Sequence, residues 1–247
     1  MPGGARSGDR TVSEPFRSAM VIVAHPDDPE FFCGGTIARW AQAGTEIAYL
    51  ICTRGDKGSN DPDMTAERLA AIREAEQRAA AAVLGVRQVL FLDYADGELE
   101  STLALRGSIV REVRRLRPQV VITPDPTARF IRGAYPNHAD HRIVGDVTLD
   151  ALFPAAGIRL YYPEHLAEGL EPHVVDEAYL TLTCEPDTWF DTTDYIDRRL
   201  AALRCHATQI KDPAALEKRL RENTDPRQPA GSPPRYAEGF RRVVIKR

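Results

Sequence analysis

The sequence has few of the features expected of a membrane, secreted or nucleic-acid-binding protein. No apolar run approaches the length of a membrane-spanning helix. Residues 1–18 have no apolar core, so we expect a disordered N-terminal lead-in there and no secretory signal. Basic side chains number 32 against 36 acidic ones, a net charge of −4, and this balance argues against a general nucleic-acid binder.

Cysteine is also scarce, with four residues and no CxxC pair. Scattered thiols of this kind are typical of a cytoplasmic protein, and they argue against a structural zinc knuckle. A fraction of 43% hydrophobic residues over 247 positions is nevertheless enough to form the core of one large α/β domain.

Apolar runs and helical segments alternate four times in the first part of the chain. This alternation predicts an α/β fold of the Rossmann-like, doubly wound kind, with a mostly parallel sheet flanked by helices in a single domain over residues 19–247. The predicted strands of this part are 19–23, 46–53, 86–92 and 119–123, and the predicted helices are 35–43, 65–84, 101–116 and 137–153. Beyond residue 154 we predict strands at 158–162, 178–184 and 240–245, an amphipathic helix at 195–210 and an irregular segment at 212–234.

A cluster of ionisable side chains follows the first predicted strand. His25, Asp27, Asp28 and Glu30 lie within six residues, at the strand end where open α/β sheets bind their ligands. Carboxylates this close repel one another unless a positive group lies between them, so one interpretation is a divalent metal bound by His25 and Asp28, with Asp27 left over as a base. The other interpretation is a helix N-cap, which would explain one of the aspartates.

A second cluster opens the fourth predicted helix. His138 and His141 are three residues apart, which brings both to one side of a helix start, and Asp140 between them could orient one imidazole. Together with the first cluster, His141 would complete a set of two histidines and one carboxylate with an open position for water. This arrangement is typical of a catalytic zinc site.

The two motifs, AHPDDPE at 24–30 and NHADHR at 137–142, resemble those of the LmbE/PIG-L family of zinc-dependent N-acetylglucosaminyl deacetylases. The resemblance extends over about residues 20–150 and includes the TRGDKG loop at 53–58 and Asp96. It implies one Zn²⁺ per chain, with another divalent metal as an alternative, a small N-acetylated sugar as substrate, and a trimer or hexamer.

The resemblance also implies a role for individual residues. His25, Asp28 and His141 would bind zinc, and Asp27 would be the general base. His138 would be a general acid or oxyanion stabiliser, and Asp140 would orient either His138 or His141. Arg73 matches a family position that contacts substrate, and we predict that Asp96 also binds the sugar. The family motif leaves open the roles of Glu30, which Pro29 separates from Asp28, and of Tyr135.

The expected reaction is amide hydrolysis, in which zinc activates a water, Asp27 accepts its proton and protonated His138 stabilises the oxyanion. One alternative is a metallo-hydrolase of other specificity, such as a phosphoesterase, although two-metal enzymes need more ligands than these. Another is a nucleotide-binding module, but the first strand is not followed by GxGxxG, and carboxylates stand where a pyrophosphate would bind.

Overall fold

A seven-stranded sheet forms the centre of the structure, a computed structural model that describes residues 15–131 and 134–246. The strand order is β3–β2–β1–β4–β7–β9–β8, and a separate short hairpin pairs β5 with β6. The strands are β1 (Ser18–Val23), β2 (Glu46–Thr53), β3 (Gln88–Tyr94), β4 (Val120–Pro124), β5 (Phe130–Ile131), β6 (Tyr135–Pro136), β7 (Glu177–Thr181), β8 (Thr188–Asp191) and β9 (Ala237–Val244).

The first five strands of that order are parallel, and β9 is antiparallel to both its neighbours. The chain leaves β1 towards β2 on one side and reaches β4 on the other, so the strand order reverses at β1. In such sheets ligands bind beyond the carboxyl ends of the strands at this point of reversal.

Helices cover both faces of the sheet. They are α1 (Asp28–Gln42), α2 (Ala66–Leu84), α3 (Leu103–Leu116), α4 (Ala139–Asp150), α5 (Glu164–Ala167), α6 (Ile196–Leu203) and α7 (Pro213–Glu222). Alternate residues of β1 enter two different cores: Val21 packs with α1, α2 and α6, whereas Ile22 packs with α3 and α4. A strand buried on both faces is apolar throughout, and the predicted doubly wound α/β fold is confirmed.

Helix α1 begins seven residues earlier than predicted. Pro29 lies in its first turn, where proline is favourable, and the helix bends at Cys33, whose φ and ψ are −149° and 22°. The sequence pattern therefore revealed only the regular part beyond the bend. Asp28 and Glu30 of the first cluster therefore lie in the first turn of α1, and Asp27 lies at its N-cap position.

Three predictions for the last third of the chain were wrong. Residues 158–162 form turns instead of a strand, because the buried Arg114 side chain binds the carbonyls of Ile158, Tyr161 and Tyr162. The segment 212–234 is not wholly irregular, since α7 forms within it, with the Asp212 side chain accepting a hydrogen bond from the Ala215 N–H. The helix predicted at 195–210 ends at Leu203.

Most of the predicted lead-in, residues 1–18, lies outside the described residues. Its described end is ordered: Phe16 is buried against Trp40, and β1 already begins at Ser18. Among the described helices, none has the length and apolar character needed to cross a bilayer.

Candidate active site

The two ionisable clusters meet at the carboxyl ends of β1 and β4. The first directly follows β1, and the second lies at the start of α4, which packs on β4. Gly145 makes this packing possible, because a Cβ at that position would lie 2.2 Å from the Pro124 carbonyl oxygen. Helix α4 therefore approaches the sheet closely enough to bring His141 against His25.

Three potential ligand atoms converge at this junction. The Nδ1 atom of His25 lies 3.3 Å from Nε2 of His141 and 3.5 Å from Oδ2 of Asp28. His141 Nε2 lies 3.1 Å from the other oxygen, Oδ1, of Asp28. Tetrahedral zinc with bonds of about 2.0–2.1 Å separates its ligand atoms by about 3.3 Å. The residues present therefore fit one tetrahedral metal ion in both donor type and spacing.

The far nitrogen of each histidine is held by an oxygen acceptor. His25 Nε2 lies 3.2 Å from Oδ2 of Asp140 and 3.1 Å from Oδ1 of Asp96, and His141 Nδ1 lies 3.0 Å from Oδ1 of Asn137. Metal-binding histidines commonly have such partners, which direct the unprotonated nitrogen towards the metal. Sequence reasoning missed Asn137, whose signal was its place as the first residue of the second motif.

Asp140 has a different partner from the one predicted. Its carboxylate binds His25 and also accepts the backbone N–H of Gly97 at 2.7 Å, so it does not orient the ring of His138 or His141. The reason is geometric: at the start of α4 the Asp140 side chain points to the end of β1. Only its backbone N–H meets His138, donating to Nδ1 at 3.2 Å.

Negative charge is in excess around His25. Burial would lower its pKa, but hydrogen bonds with Asp140, Asp28 and Asp96 outweigh burial and raise the pKa to about 12. Burial would raise the pKa of Asp28, yet His141 and His25 hold it well below its usual range. A site that stabilises a cation on the imidazole this strongly is also suited to a bound dication, which would replace the proton.

A second grouping could also hold a metal: His25, His138 and Asp140. It shares His25 with the first and would use the Nε2 nitrogen already engaged by Asp96 and Asp140. His138 is exposed and its Nδ1 accepts a backbone hydrogen bond. The set of His25, Asp28 and His141 is the better metal site, because its outer nitrogens have acceptors and its two inner nitrogens and Asp28 Oδ1 face one another.

Asp27 lies beside this set and remains available for chemistry. It occupies the N-cap position of α1 in a left-handed conformation, φ 85°, and its side chain makes no capping hydrogen bond. Asp28 does not cap the helix either, since its Oδ2 accepts the N–H of His25 at 2.9 Å. Position 27 is thus the N-cap that one interpretation of the sequence expected, but neither aspartate makes a capping hydrogen bond. Burial raises the pKa of Asp27 to about 7, against the opposing charge of Arg73.

The two residues predicted to bind substrate have partners inside the protein. Arg73 is buried and donates to Oδ2 of Asp27 at 3.2 Å and to the carbonyls of Pro26 and Gly55 at 2.7 and 3.0 Å. Asp96 is buried against His25. Direct contact of either with substrate stays a prediction, and their observed contacts position Asp27 and His25.

A groove of about 560 Å³ begins next to the candidate metal ligands. The ring of Phe32, which lines it, lies 5.2 Å from the ring of His141. Apolar and polar side chains share its wall, among them Phe31, Ile131, Leu182, Thr183, Trp189 and Arg199. Its size is within the range of small-molecule sites. Tyr135, whose role the motif left open, is 72% exposed on β6 and does not line this groove.

The candidate metal site lies where the strand order of a doubly wound sheet reverses, and one nearby carboxylate, that of Asp27, is not part of it. These features are those of a metal-assisted hydrolase. Comparison with family models matches residues 20–152 to PIG-L, the GlcNAc-PI de-N-acetylase family. The chain belongs to this family. The predicted family membership is thereby confirmed, and with it the prediction of an amide hydrolase.

Similar curated proteins and similar solved structures are consistent with membership of this family. The diacetylchitobiose deacetylase of Thermococcus kodakarensis is 32% identical over 83% of this chain and 75% of its own length. The N,N'-diacetylchitobiose deacetylase structure from Pyrococcus horikoshii has a TM-score of 0.81 at 28% identity, over 93% of this chain and 84% of that one. GalB, a 4-carboxy-2-hydroxymuconate hydratase of Pseudomonas putida, has a TM-score of 0.76 at 23% identity, over 93% and 97%, and this likeness shows the fold alone.

Proposed function

We propose that this protein is a zinc-dependent deacetylase that removes the acetyl group from an N-acetylglucosamine-type sugar or conjugate. The observation that carries the proposal is the convergence of His25 Nδ1, His141 Nε2 and Asp28 beside an aspartate, Asp27, that neither caps a helix nor binds with them. The names of the relatives supply the substrate class, since they act on N-acetylated glucosamine compounds.

His25, Asp28 and His141 hold the metal in this proposal. A zinc ion bound by them supplies Lewis-acid chemistry, lowering the pKa of water towards about 7 and polarising the acetyl carbonyl. The two neutral imidazoles and the single carboxylate would offset only one of the two charges of the ion, so the ion and its three ligands together would keep a net positive charge. That charge favours the developing oxyanion of an amide under attack.

Asp27 accepts the proton of the attacking water. A carboxyl with a pKa near 7 is well matched to proton transfer at neutral pH. Arg73 holds the Oδ2 oxygen of Asp27 and limits how far burial raises the pKa. The other oxygen, Oδ1, is left for the proton.

His138 donates the hydrogen bond of its Nε2–H to the oxyanion, and the proton that Asp27 takes from the water passes to the leaving amine. Burial and the nearby His25 lower the pKa of His138, so at pH 7 it is a neutral imidazole. Its Nδ1 accepts from Asp140 N–H, so the proton of the neutral ring is on Nε2. This departs from the sequence-based mechanism, in which His138 was already protonated.

The groove beside Phe32 takes the rest of the substrate in this proposal. A wall that mixes aromatic and polar side chains suits sugar rings, which present both apolar faces and hydroxyl groups. A sugar extended beyond its N-acetylglucosamine unit would lie along it.

Acetate release from a panel of N-acetylglucosamine conjugates tests the proposal. The zinc-loaded enzyme should release acetate from at least one conjugate, and Asp27→Asn prepared in the same way should release it about 10²-fold more slowly or less. Release of phosphate from sugar phosphates without any release of acetate would replace the deacetylase by the phosphoesterase alternative.

A further inference from the structure

A fully buried polar cluster lies behind Asp27, and the mechanism does not use it. At its centre is Glu30, whose carboxylate has no exposed surface. Three donors surround it: Gln77 Nε2 at 3.0 and 3.1 Å, Tyr49 OH at 3.3 Å and His206 Nε2 at 3.1 Å. His206 is also fully buried and lies just after α6, so the C-terminal part of the chain reaches the catalytic motif here.

The cluster fixes which way the Gln77 amide faces. A carboxylate can only accept hydrogen bonds, so Glu30 turns the NH₂ group of Gln77 towards itself. The Gln77 carbonyl oxygen, Oε1, then points the other way and accepts the backbone N–H of Asp27 at 2.8 Å. An unconstrained amide could present either end, and its NH₂ end would repel the Asp27 N–H.

The backbone that Gln77 binds is unusual. Asp27 has φ 85°, in the left-handed region that non-glycine residues rarely adopt. In this conformation the Asp27 carboxylate binds Arg73, whereas the Asp28 carboxylate binds the His25 N–H and the His141 ring. Such strained backbone persists only where its surroundings hold it, and the Gln77 bond is made to the strained residue itself.

We propose that Gln77, oriented by Glu30 and His206, is a positioning residue that holds the general base Asp27 in its left-handed conformation. This inference rests on the proposed function, because it assigns to Asp27 the role of base. It gives Glu30 a role that the family motif left open, and it gives His206 a role for which the sequence held no signal.

The first test replaces Gln77 by Met, which is of similar size but cannot accept the Asp27 N–H. We expect kcat to fall about tenfold or more, as misplacement of a catalytic group commonly produces, with KM and zinc content unchanged. Gln119→Met is the matched control, because Gln119 Oε1 also accepts a backbone N–H, that of Arg17 near the start of β1, away from the site. An unchanged kcat in Gln77→Met would overturn the proposal.

The second test replaces His206, on the other side of Glu30 in the buried cluster, and leaves Gln77 in place. His206→Gln keeps an N–H donor for Glu30, whereas His206→Met removes it. We expect kcat close to wild type in the first variant and a fall in the second, with thermal unfolding measured for both. Equal kcat values in the two variants would contradict the role of His206, whatever their stability.

A double variant separates positioning of Asp27 from general support of the fold. In an Asp27→Asn background the base is already absent, so adding Gln77→Met should change the residual kcat by less than about twofold, a strong non-additivity. A full additional loss would mean that Gln77 acts on something other than the base. If Asp27→Asn keeps full activity, the proposed function fails. If Asp27→Asn loses activity but the Gln77 and His206 variants keep wild-type kcat, only this inference fails.

The crystal structure of Gln77→Met gives a result that does not depend on activity. We expect φ of Asp27 to move out of the left-handed region, with its carboxylate displaced. An unchanged φ at Asp27 would show that its left-handed conformation does not depend on the Gln77 hydrogen bond, and this result would overturn the proposal.

Discussion

Asp27 and Asp28 are adjacent and chemically identical, yet the protein gives them opposite electrostatic surroundings. Asp28 lies between two histidines that lower its pKa, whereas burial raises the pKa of Asp27 to about 7. The Asp27 carboxylate binds Arg73, and the Asp28 carboxylate binds His141 and the backbone N–H of His25. A low pKa suits a permanent metal ligand, and a pKa near neutrality suits a group that gains and loses a proton.

Exchanging each aspartate for asparagine should therefore have different results. Asp27→Asn should stay folded and metal-loaded while kcat falls about 10²–10⁴-fold, the usual effect of losing a general base. Asp28→Asn should lose zinc, because a neutral amide replaces the only charged ligand. Metal analysis and kcat on the same preparations check this. Zinc loss in Asp27→Asn with retention in Asp28→Asn would mean that the two roles are exchanged.

The pH profile reports the charge on Asp27. The base works as a carboxylate, so the rate should fall as the pH drops through its pKa, and a bound dication places this acid limb at or below about 7. The guanidinium of Arg73 lowers that pKa, so Arg73→Met should move the acid limb of kcat to higher pH. Arg73→Lys, which keeps the charge, is the control and should move it less. An acid limb at the same pH in all three enzymes would exclude Asp27 as its source.

The residues that sequence could predict are those in local motifs. His25, Asp28 and His141 were found because two short clusters each follow an apolar strand, and the structure brings these residues together. Gln77 and His206 were missed because each lies alone in a segment that the sequence predicts to be helical, 50 and 179 residues from Asp27. Their importance depends on a tertiary contact, and no local pattern encodes such a contact.

At the scale of elements, two helix starts form the site and both depend on close packing. The first turn of helix α1 contains the end of the first motif, Asp28–Glu30. The bend at Cys33 hid that turn from sequence analysis. Helix α4 carries the second motif and depends on Gly145 to approach Pro124. The periodicity of a helix shows where it is regular, but it does not show where it bends or how closely it packs.

Replacing Gly145 by Ala should weaken metal binding without changing any ligand. The added Cβ would overlap the Pro124 carbonyl, a backbone atom that cannot move aside, so α4 and His141 must shift. We expect a loss of about 1–3 kcal/mol in the free energy of unfolding, typical of overpacking, and a weaker zinc affinity. Gly107→Ala is the matched control, because its Cβ overlaps only the Tyr162 side chain and α3 carries none of the proposed ligands. Equal zinc affinities in the two variants would contradict this role of Gly145.

At the scale of the whole molecule, the alternation of apolar and helical segments was sufficient to predict the parallel half of the sheet. In the second half of the fold, beyond residue 154, the strands predicted at 178–184 and 240–245 form as β7 and β9, but β8 was not predicted and three other predictions were wrong. Arg114 engages the backbone of residues 158–162, and α7 has only two buried apolar residues, Leu216 and Leu220, on a polar helix. This half still reaches the site, since His206 binds Glu30 and Glu238 accepts the N–H groups of Gly35 and Thr36 in α1.

The metal should therefore act on the stability of the whole fold. In the proposed site the metal would join the end of β1 to the start of α4, so it should bind the folded chain much better than the unfolded one. Zinc at 100 times its Kd should add about 2.7 kcal/mol to the free energy of unfolding. For a domain of this size that corresponds to a rise in Tm of about 5–10 °C. Thermal unfolding of the chelator-treated protein, with and without one equivalent of zinc, measures the rise.

Single alanine variants decide which of the two overlapping groups binds the metal. If His25, Asp28 and His141 are the ligands, each of their Ala variants should lose the zinc-dependent rise in Tm, and His138→Ala should keep it. If His25, His138 and Asp140 are the ligands instead, His138→Ala should lose the zinc-dependent rise in Tm and Asp28→Ala should keep it. Because binding replaces the proton on His25, the rise should also shrink as the pH is lowered. A rise that persists in His25→Ala would exclude both groups, since His25 is common to them.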